Sequence, residues 1–408
     1  MTELNEDLPG ESGVRETELP AGKGPGRRQT AKFLIVGMLI GAAVMGIAGL
    51  LLWRFSKEQV IRNYIRKEAI TEATDAEIEE GIYDGMAAAL KDPYASYYNA
   101  DETKANKERK SGTYEGIGVV ISQDPESGAI VIVGVYPDTS AEEAGIEAGD
   151  IILRINDTDM EGLTTSDAVT LIGDSGRTVA LVLEREGKPY EVTVERRKVT
   201  VPKVSSFLKE DNGHRIGYVR IESFIYTTAD QFSEALDSLE NDGMEGLIID
   251  LRGNTGGLVD SAVDCLDRLL PKGLVVYTLA KDGTRRDRYS KGTDEIGVPI
   301  VLLVDAQTAS AAEIFAGALR DRLGSPLVGT VTFGKGIMQI TQFLADGSSF
   351  KYTSAEYYSP DGVNINGTGF EPDVEVELSQ GEHIAASEDD NQFLKALEVV
   401  GGMMEENS

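Results

Sequence analysis

The sequence predicts an α/β protein with a β-rich insert and an apolar run near its N-terminus. Three observations predict this. From Val201 onward, strand-like and helical stretches alternate, a pattern that packs helices on a sheet. Residues 111–198 hold four strand-like stretches separated by turn residues. Residues 33–52 are twenty residues without a charge, enough at about 1.5 Å each to span the roughly 30 Å hydrocarbon core of a bilayer.

Composition bounds the class. At 408 residues the chain has room for roughly two or three domains. There are 69 acidic residues against 39 basic ones, a formal charge of -30. That excludes a nucleic-acid binder, which needs a basic face. Cys265 is the single cysteine, so an internal disulfide is excluded; it belongs to the apolar series Ala262, Val263, Leu266, Leu269 and Leu270 and reads as core. Two histidines and one cysteine leave no soft-ligand metal site. No P-loop occurs, and Gly112, Gly116 and Gly118 do not match a nucleotide fingerprint. No cofactor is expected.

Taken in order, residues 1–32 are rich in Glu, Gly and Pro, lack apolar periodicity and are expected to be disordered. The run 33–53, closed by Trp53, begins late for a signal peptide and lacks a small-residue cleavage site before Trp53-Arg54. It reads as an uncleaved signal anchor. Lys23, Arg27, Arg28 and Lys32 precede it; Arg54, Lys57, Arg62, Arg66 and Lys67 follow it. The positive-inside rule therefore barely discriminates between orientations. Residues 54–110 form a helical region. Thr74 and Glu77 make a capping box, with Ile78, Ile82, Met86 and Leu90 following at i+4 spacing. Asp92-Pro93-Tyr94 ends that pattern, and Tyr94, Tyr97 and Tyr98 offer an aromatic docking surface. The apolar stripe faces either a partner or its own domain.

In the β-rich unit, 129–136, 150–155, 178–185 and 190–199 are strand-like, the last two joined through Glu186-Gly187-Lys188. Pro137-Asp-Thr-Ser-Ala-Glu-Glu-Ala-Gly-Ile-Glu-Ala-Gly-Asp150 resembles the central helix and turn of a PDZ domain. The corresponding ligand loop is Gly116-Ile117-Gly118-Val119. Such loops hold a terminal carboxylate on backbone N–H groups while the peptide adds as a strand.

Beyond 199, strands are expected at 215–221 and 246–251, and helices at 228–239 and 258–270. Residues 298–304 form a short apolar run, long enough for a buried strand, and Glu313-Ile-Phe-Ala-Gly-Ala-Leu-Arg-Asp reads as a helix. Ser310 thus sits where a strand ends and a helix begins. Two readings stand: an N-cap, or a reactive hydroxyl beside the free N–H groups of the first turn. Lys335 lies between Gly334 and Gly336, with Val331, Phe333, Ile337 and Met338 around it. Burial would lower its pKa from about 10.4 toward a general-base range; the other reading is a solvated loop lysine. The turn Asp250-Leu-Arg-Gly-Asn-Thr-Gly-Gly257 is either a tight turn or a source of N–H donors for an oxyanion.

Thr308-Ala-Ser-Ala-Ala-Glu313, Gly317-Ala-Leu-Arg-Asp321 and Phe333-Gly-Lys-Gly-Ile-Met-Gln339 resemble the carboxyl-terminal processing peptidases, a tail-specific serine protease family. The likeness runs from about residue 78 to 376 and includes the Asp92-Pro-Tyr segment. It implies a crotonase/ClpP-like α/β protease core over 199–383, with the PDZ domain (111–198) inserted between a helical arm and that core, and a helical, acidic tail over 384–408. It implies Ser310 as nucleophile, Lys335 as general base, Gln339 as the group that orients the lysine, and the N–H groups of Gly256 and Ala311 as oxyanion donors. It implies protein substrates held by their C-terminal tails, a catalytic part outside the cytoplasmic membrane, and helical-arm contacts that build a homodimer. One departure is Gly173-Asp174, where many relatives carry Arg-Gly.

Gly253-Asn-Thr-Gly-Gly257 is superficially similar to the Gly-Asp-Ser-Gly-Gly of chymotrypsin-like proteases, but it places Thr255 at the nucleophile position. His214 sits in a polar turn and His383 in an acidic segment, so a serine–histidine triad is not expected. Two competing classes are a catalytically inactive PDZ scaffold and a serine–lysine endopeptidase without tail specificity.

Overall fold

The computed structural model describes residues 27–54, 56–292, 296–379 and 385–406, in two units, Met1–Ile82 and Tyr83–Ser408. In the first unit, the helix Arg27–Arg54 begins before the apolar run, inside the segment expected to be disordered; residues 1–26 lie outside the described residues. Its side chains from Leu34 to Ile47 are exposed. Among the described residues no helix is long and apolar enough to cross a membrane. The side chains at 48–55, which complete the apolar run, lie outside the described set. The helix Lys57–Glu68 is capped by Ser56, which accepts from Gln59 N. Arg62 and Arg66 pair with Asp75 at the start of the next helix. The capping box there is formed: Thr74 N donates to Glu77 Oε2 at 2.7 Å, and Glu77 N donates to Thr74 Oγ1 at 3.2 Å.

In the second unit, the central sheet runs Val204–Asp211, His214–Ile221, Gly246–Asp250, Ile300–Val304, Leu327–Gly329, Val374–Glu375. Only its first pair is antiparallel. Every residue of Gly246–Asp250 and Ile300–Val304 is buried, as a parallel sheet covered on both faces requires. Successive side chains point to opposite faces. Leu247, Ile249, Leu302 and Val304 therefore join a core with the helices Thr228–Asn241, Val259–Leu266 and Ala311–Leu323. Ile248, Val301 and Leu303 join a second core with Phe393, Leu397 and Val400. The segment expected as a helical, acidic tail supplies the helix Asn391–Glu406, which packs on the second face of the sheet.

A five-stranded antiparallel sheet stands beside this core. Ser349–Tyr358 pairs with Ser96–Tyr98, Ile337–Phe343 and Gly273–Ala280, and the last of these pairs with the edge strand Arg285–Ser290. The tyrosines of 94–98 are half-buried in this arrangement and do not form a free docking surface.

The β-rich unit hangs from the two-stranded ribbon Thr113–Gly116/Arg197–Thr200. Its sheet runs Val119–Gln123, Ile130–Val135, Ile151–Ile155, Thr178–Arg185, Lys188–Glu195, and the helices Ser140–Glu143 and Thr165–Asp174 close its core. Asp150, from the Gly-Asp of the sequence motif, is fully buried and receives Arg185 Nε at 2.7 Å and Tyr190 OH at 2.7 Å.

Candidate active site

The parallel strands Gly246–Asp250 and Ile300–Val304 end side by side, and the loops that leave their C-terminal ends make the site. Ser310 is the residue before the helix Ala311–Leu323. Its backbone lies at φ 58°, ψ -117°, a conformation that costs a non-glycine residue about 1–3 kcal/mol and is kept only where surroundings enforce it. What enforces it is Glu313. This carboxylate is fully buried and accepts four hydrogen bonds: Ser310 N at 2.8 Å, Lys335 N at 2.9 Å, Gly334 N at 2.7 Å and Thr332 Oγ1 at 2.6 Å. One side chain therefore fixes both the serine turn and the lysine loop. Sequence reasoning quoted Glu313 in a motif without giving it this role; the Ser-x-x-Glu spacing of a capping box was the available signal. Tyr357 adds a second hold, its hydroxyl donating to Ser310 O at 3.2 Å. Burial, reinforced by Glu313, pushes the Tyr357 pKa well above its ordinary value, so the hydroxyl stays a donor.

Ser310 and Lys335 line one cleft of about 500 Å³. Gly334 has φ 83°, and a Cβ there would stand 2.7 Å from Gly369 N, so a glycine lets the lysine loop pack on the following turn. Lys335 is half-buried, and its Nζ stands 4.3 Å from the centroid of the Tyr94 ring. Burial lowers its pKa, and the Lys351 ammonium adds to this against the opposing pull of Asp92 and Glu313. The apolar setting differs from the one expected: Val331 and Phe333 are exposed, while Ile337 and Met338 line the cleft. Among the described residues no hydrogen bond joins Ser310 Oγ to Lys335 Nζ. The four-carbon lysine stem is what must carry the amine from Tyr94 to the serine.

Two of the expected site residues make other hydrogen bonds in this structure. Gln339 lines the cleft, and its amide N–H donates to Thr353 Oγ1 at 3.1 Å; among the described residues no hydrogen bond joins it to Lys335. The strand pairing puts Gln339 opposite Thr353. The Gly256 N–H, expected as an oxyanion donor, is taken by Asn254 Oδ1 at 2.8 Å. Asn254 is fully buried and also donates from Nδ2 to Ile221 O at 2.9 Å, so this turn is locked. Gly256 still touches the serine turn, since a Cβ on it would stand 2.9 Å from both Ala311 N and Ser310 Cβ. The neighbouring Gly257 lines the cleft, and its N–H has no acceptor among the described residues. Ala311 is the first helical residue, so its N–H has no intrahelical partner.

Gly116, Ile117, Gly118 and Val119 line a groove of about 680 Å³ with Val169 and Ile172 of the helix Thr165–Asp174. Val119–Gln123 is the edge strand of its sheet, leaving one backbone side open for an added strand. Gly118 has φ 95°, and a Cβ there would collide with Thr139. Ile117 is buried in the domain core, so its side chain contributes more to that core than to the groove. His214 begins the strand His214–Ile221, 3.8 Å from Glu245, away from the strand ends that carry Ser310. His383 lies outside the described residues. Among the described residues no group of His, Cys, Asp and Glu side chains could hold a metal ion.

The chain is similar to known proteins over both of its β-containing parts. Residues 215–376 match Peptidase family S41, and residues 105–184 match the PDZ domain. The chain is 35% identical over 328 residues to the carboxy-terminal processing protease CtpA of Bacillus subtilis (strain 168), spanning 80% of this chain and 69% of that relative. It is 32% identical over 357 residues to a carboxyl-terminal-processing protease of Synechocystis sp. (strain ATCC 27184 / PCC 6803 / Kazusa), spanning 86% and 81%. Among solved structures, the photosystem II D1 C-terminal processing protease aligns with a TM-score of 0.46 at 31% identity, over 78% of this chain and 86% of that one.

Proposed function

Because the chain belongs to peptidase family S41 and is a serine-type carboxyl-terminal processing peptidase with a PDZ domain, we propose that Ser310 and Lys335 are its catalytic pair and that the groove at Gly116–Val119 captures substrate tails. Ser310 Oγ attacks the scissile carbonyl, and neutral Lys335 takes the hydroxyl proton. The oxyanion that forms receives the N–H groups of Ala311 and Gly257. Lys335 then gives its proton to the leaving amine, and water, activated by the same amine, releases the acyl group. The observation that carries this reading is Glu313, whose one carboxylate binds the backbone of both catalytic residues. A group with no catalytic task would not need that double tether on a strained serine.

The N-terminal apolar run supports a further part of the reading: a single-pass anchor in the cytoplasmic membrane, with the catalytic part outside. Accessibility of the second unit to added protease in intact cells, against spheroplast lysates, tests it. For the chemistry, a fluorophosphonate serine probe should label the wild-type chain and not Ser310→Ala. Both Ser310→Ala and Lys335→Ala should lose peptide cleavage almost completely, and the double variant should be little worse than either single one. Near wild-type turnover in Lys335→Ala would remove the lysine from the mechanism. Absence of probe labelling in a folded wild-type chain would favour a PDZ scaffold.

A further inference from the structure

The cleft that holds Ser310 is cationic in a chain that is strongly anionic. Lys110, Arg286, Arg288, Lys335 and Lys351 line it, and no carboxylate does, although 69 acidic residues face 39 basic ones in the sequence. Of the carboxylates close enough to act on these cations, Asp92 and Glu313 face Lys335 and the exposed Asp282, which accepts from Thr284 N, faces Arg286. Asp92 accepts from Tyr94 N and Thr353 N, and Glu313 is filled by its four donors. Asp260, outside the cleft, shares Arg288 at 3.3 Å, with 79% of its own side chain exposed. Among the described residues Lys110, Arg286 and Lys351 make no salt bridge.

The strand Arg285–Ser290 explains how these cations face the cleft. Its side chains alternate. Arg285, Asp287 and Tyr289 form one face, where Arg285 and Tyr289 both bind Asp287. Arg286 and Arg288 form the other, opposite Thr278 and Val276 of the neighbouring strand, both of which line the cleft. Thr278 in turn pairs with Tyr357, the residue that holds Ser310 O. Arg286 is thus two strand spacings from Tyr357, about 10 Å, or about three residues of extended peptide.

We propose that this enzyme selects substrates with acidic side chains about two to four residues from the scissile bond, recognised by Arg286 and Arg288 with help from Lys110 and Lys351. The proposal rests on the proteolytic reading of the same cleft. Solvent and salt screen such exposed cations, so the preference is strongest at low ionic strength. In a chain of charge -30, the local field at the cleft opposes the net charge and would favour the entry of acidic segments.

The test uses the full chain in detergent and peptides that share one apolar free C-terminus. A single Glu, Gln or Lys is placed in turn at each position within about five residues of the bond that is cut. At low salt the best Glu position should exceed its Lys counterpart in kcat/KM by about tenfold, or about 1.4 kcal/mol, and the spread should shrink as salt rises. Arg286→Gln should narrow that ratio, and the Arg286→Glu/Arg288→Glu double variant should reverse it. The same peptides, fluorescently labelled, are bound to Ser310→Ala to read the order of affinities without turnover. Equal rates and affinities for Glu, Gln and Lys peptides at every position would overturn the proposal, as would an acidic preference that survives the double charge reversal. Failure of the proteolytic reading looks different: no peptide is cut in a Ser310-dependent way, while the binding order still reports on the arginines.

Discussion

At the scale of single residues, two groups set up the site, a lysine whose charge is disfavoured and a buried carboxylate filled by donors. Lys335 loses solvent on entering the cleft and faces Lys351, so its ammonium is disfavoured and its pKa falls below the usual 10.5. In the proposed mechanism the working form is the neutral amine. Its population rises with pH through the depressed value, so kcat/KM should fall as the solution is acidified and the ammonium forms. Lys351→Met removes the like charge, which should move that limb upward; a limb that stays in place would mean burial alone sets it. Glu313 has the opposite character, a carboxylate that needs all its lone pairs. Glu313→Gln replaces one acceptor oxygen with an NH₂ donor facing N–H or O–H donors. Each donor left unsatisfied costs about 1–3 kcal/mol, so the variant should lose a few kcal/mol of stability in chemical denaturation. It should also lose most of its kcat, with KM changed much less. Wild-type kcat in a folded Glu313→Gln chain would show that the tether does not position the catalytic pair.

Among the elements, those legible in the sequence were the ones whose local pattern matches their burial. Residues 247–249 and Ile300–Val304 are unbroken apolar runs because both faces of the parallel sheet are covered, and the expected strand at 178–185 coincides with Thr178–Arg185. Ser310 and Lys335 each sit in a local motif, and the fold brings both to one cleft. The antiparallel sheet was not legible. Arg285–Ser290 reads as a polar loop, since it carries an ion-paired face and a cleft face and no apolar period. The contacts of Gln339, Tyr94 and Asn254 depend on pairings far apart in the chain, which no local pattern records. A helix in the C-terminal segment was expected, and Phe393, Ala396, Leu397 and Val400 follow helical spacing, but its place against the sheet was not legible. That helix reaches the catalytic turn through one buried cluster. Arg252 binds Asp250 and Asp390, at 2.7 Å from Asp390 Oδ2, and Gln392 Oε1 at 2.9 Å. Breaking a buried pair from one side costs about 3–5 kcal/mol, so Asp390→Ala should lower stability by that order and loosen the turn that carries Gly256 and Gly257. Burial raises the Asp390 pKa, but Arg252 and the N–H donors outweigh it, and the net shift is downward. Its contribution is therefore complete above the unfolded value of about 3.9 and is lost as pH falls through the folded one. Denaturant midpoints across that acid range should separate wild type from Asp390→Asn; identical acid limbs would rule out this cluster as the link.

Across the whole second unit, two clefts must act on one polypeptide. The PDZ groove offers an open strand edge, Val119–Gln123, beside the helix Thr165–Asp174, and the ribbon Thr113–Gly116/Arg197–Thr200 ties that domain to the protease core. The ribbon starts directly after Lys110, Ser111 and Gly112, and Lys110 lines the catalytic cleft, so a single short segment connects the two sites. A substrate held by its end in the first site presents its upstream residues to the second at a raised effective concentration. Backbone N–H groups in the loop Gly116–Val119 call for a free carboxylate, and Val119, Val169 and Ile172 call for an apolar terminal side chain, worth about 1–3 kcal/mol when buried. Matched peptides ending in Val, in Val-amide and in Asp, with one common cleavage sequence, should therefore be cut in that falling order, and the difference should appear mainly in KM at low substrate. Val169→Glu fills the apolar side of the groove with a charge and should flatten the order by slowing the Val peptide alone. If all three peptides are cut equally by the wild-type chain, the PDZ domain neither selects nor delivers, and the enzyme chooses its substrates in the catalytic cleft.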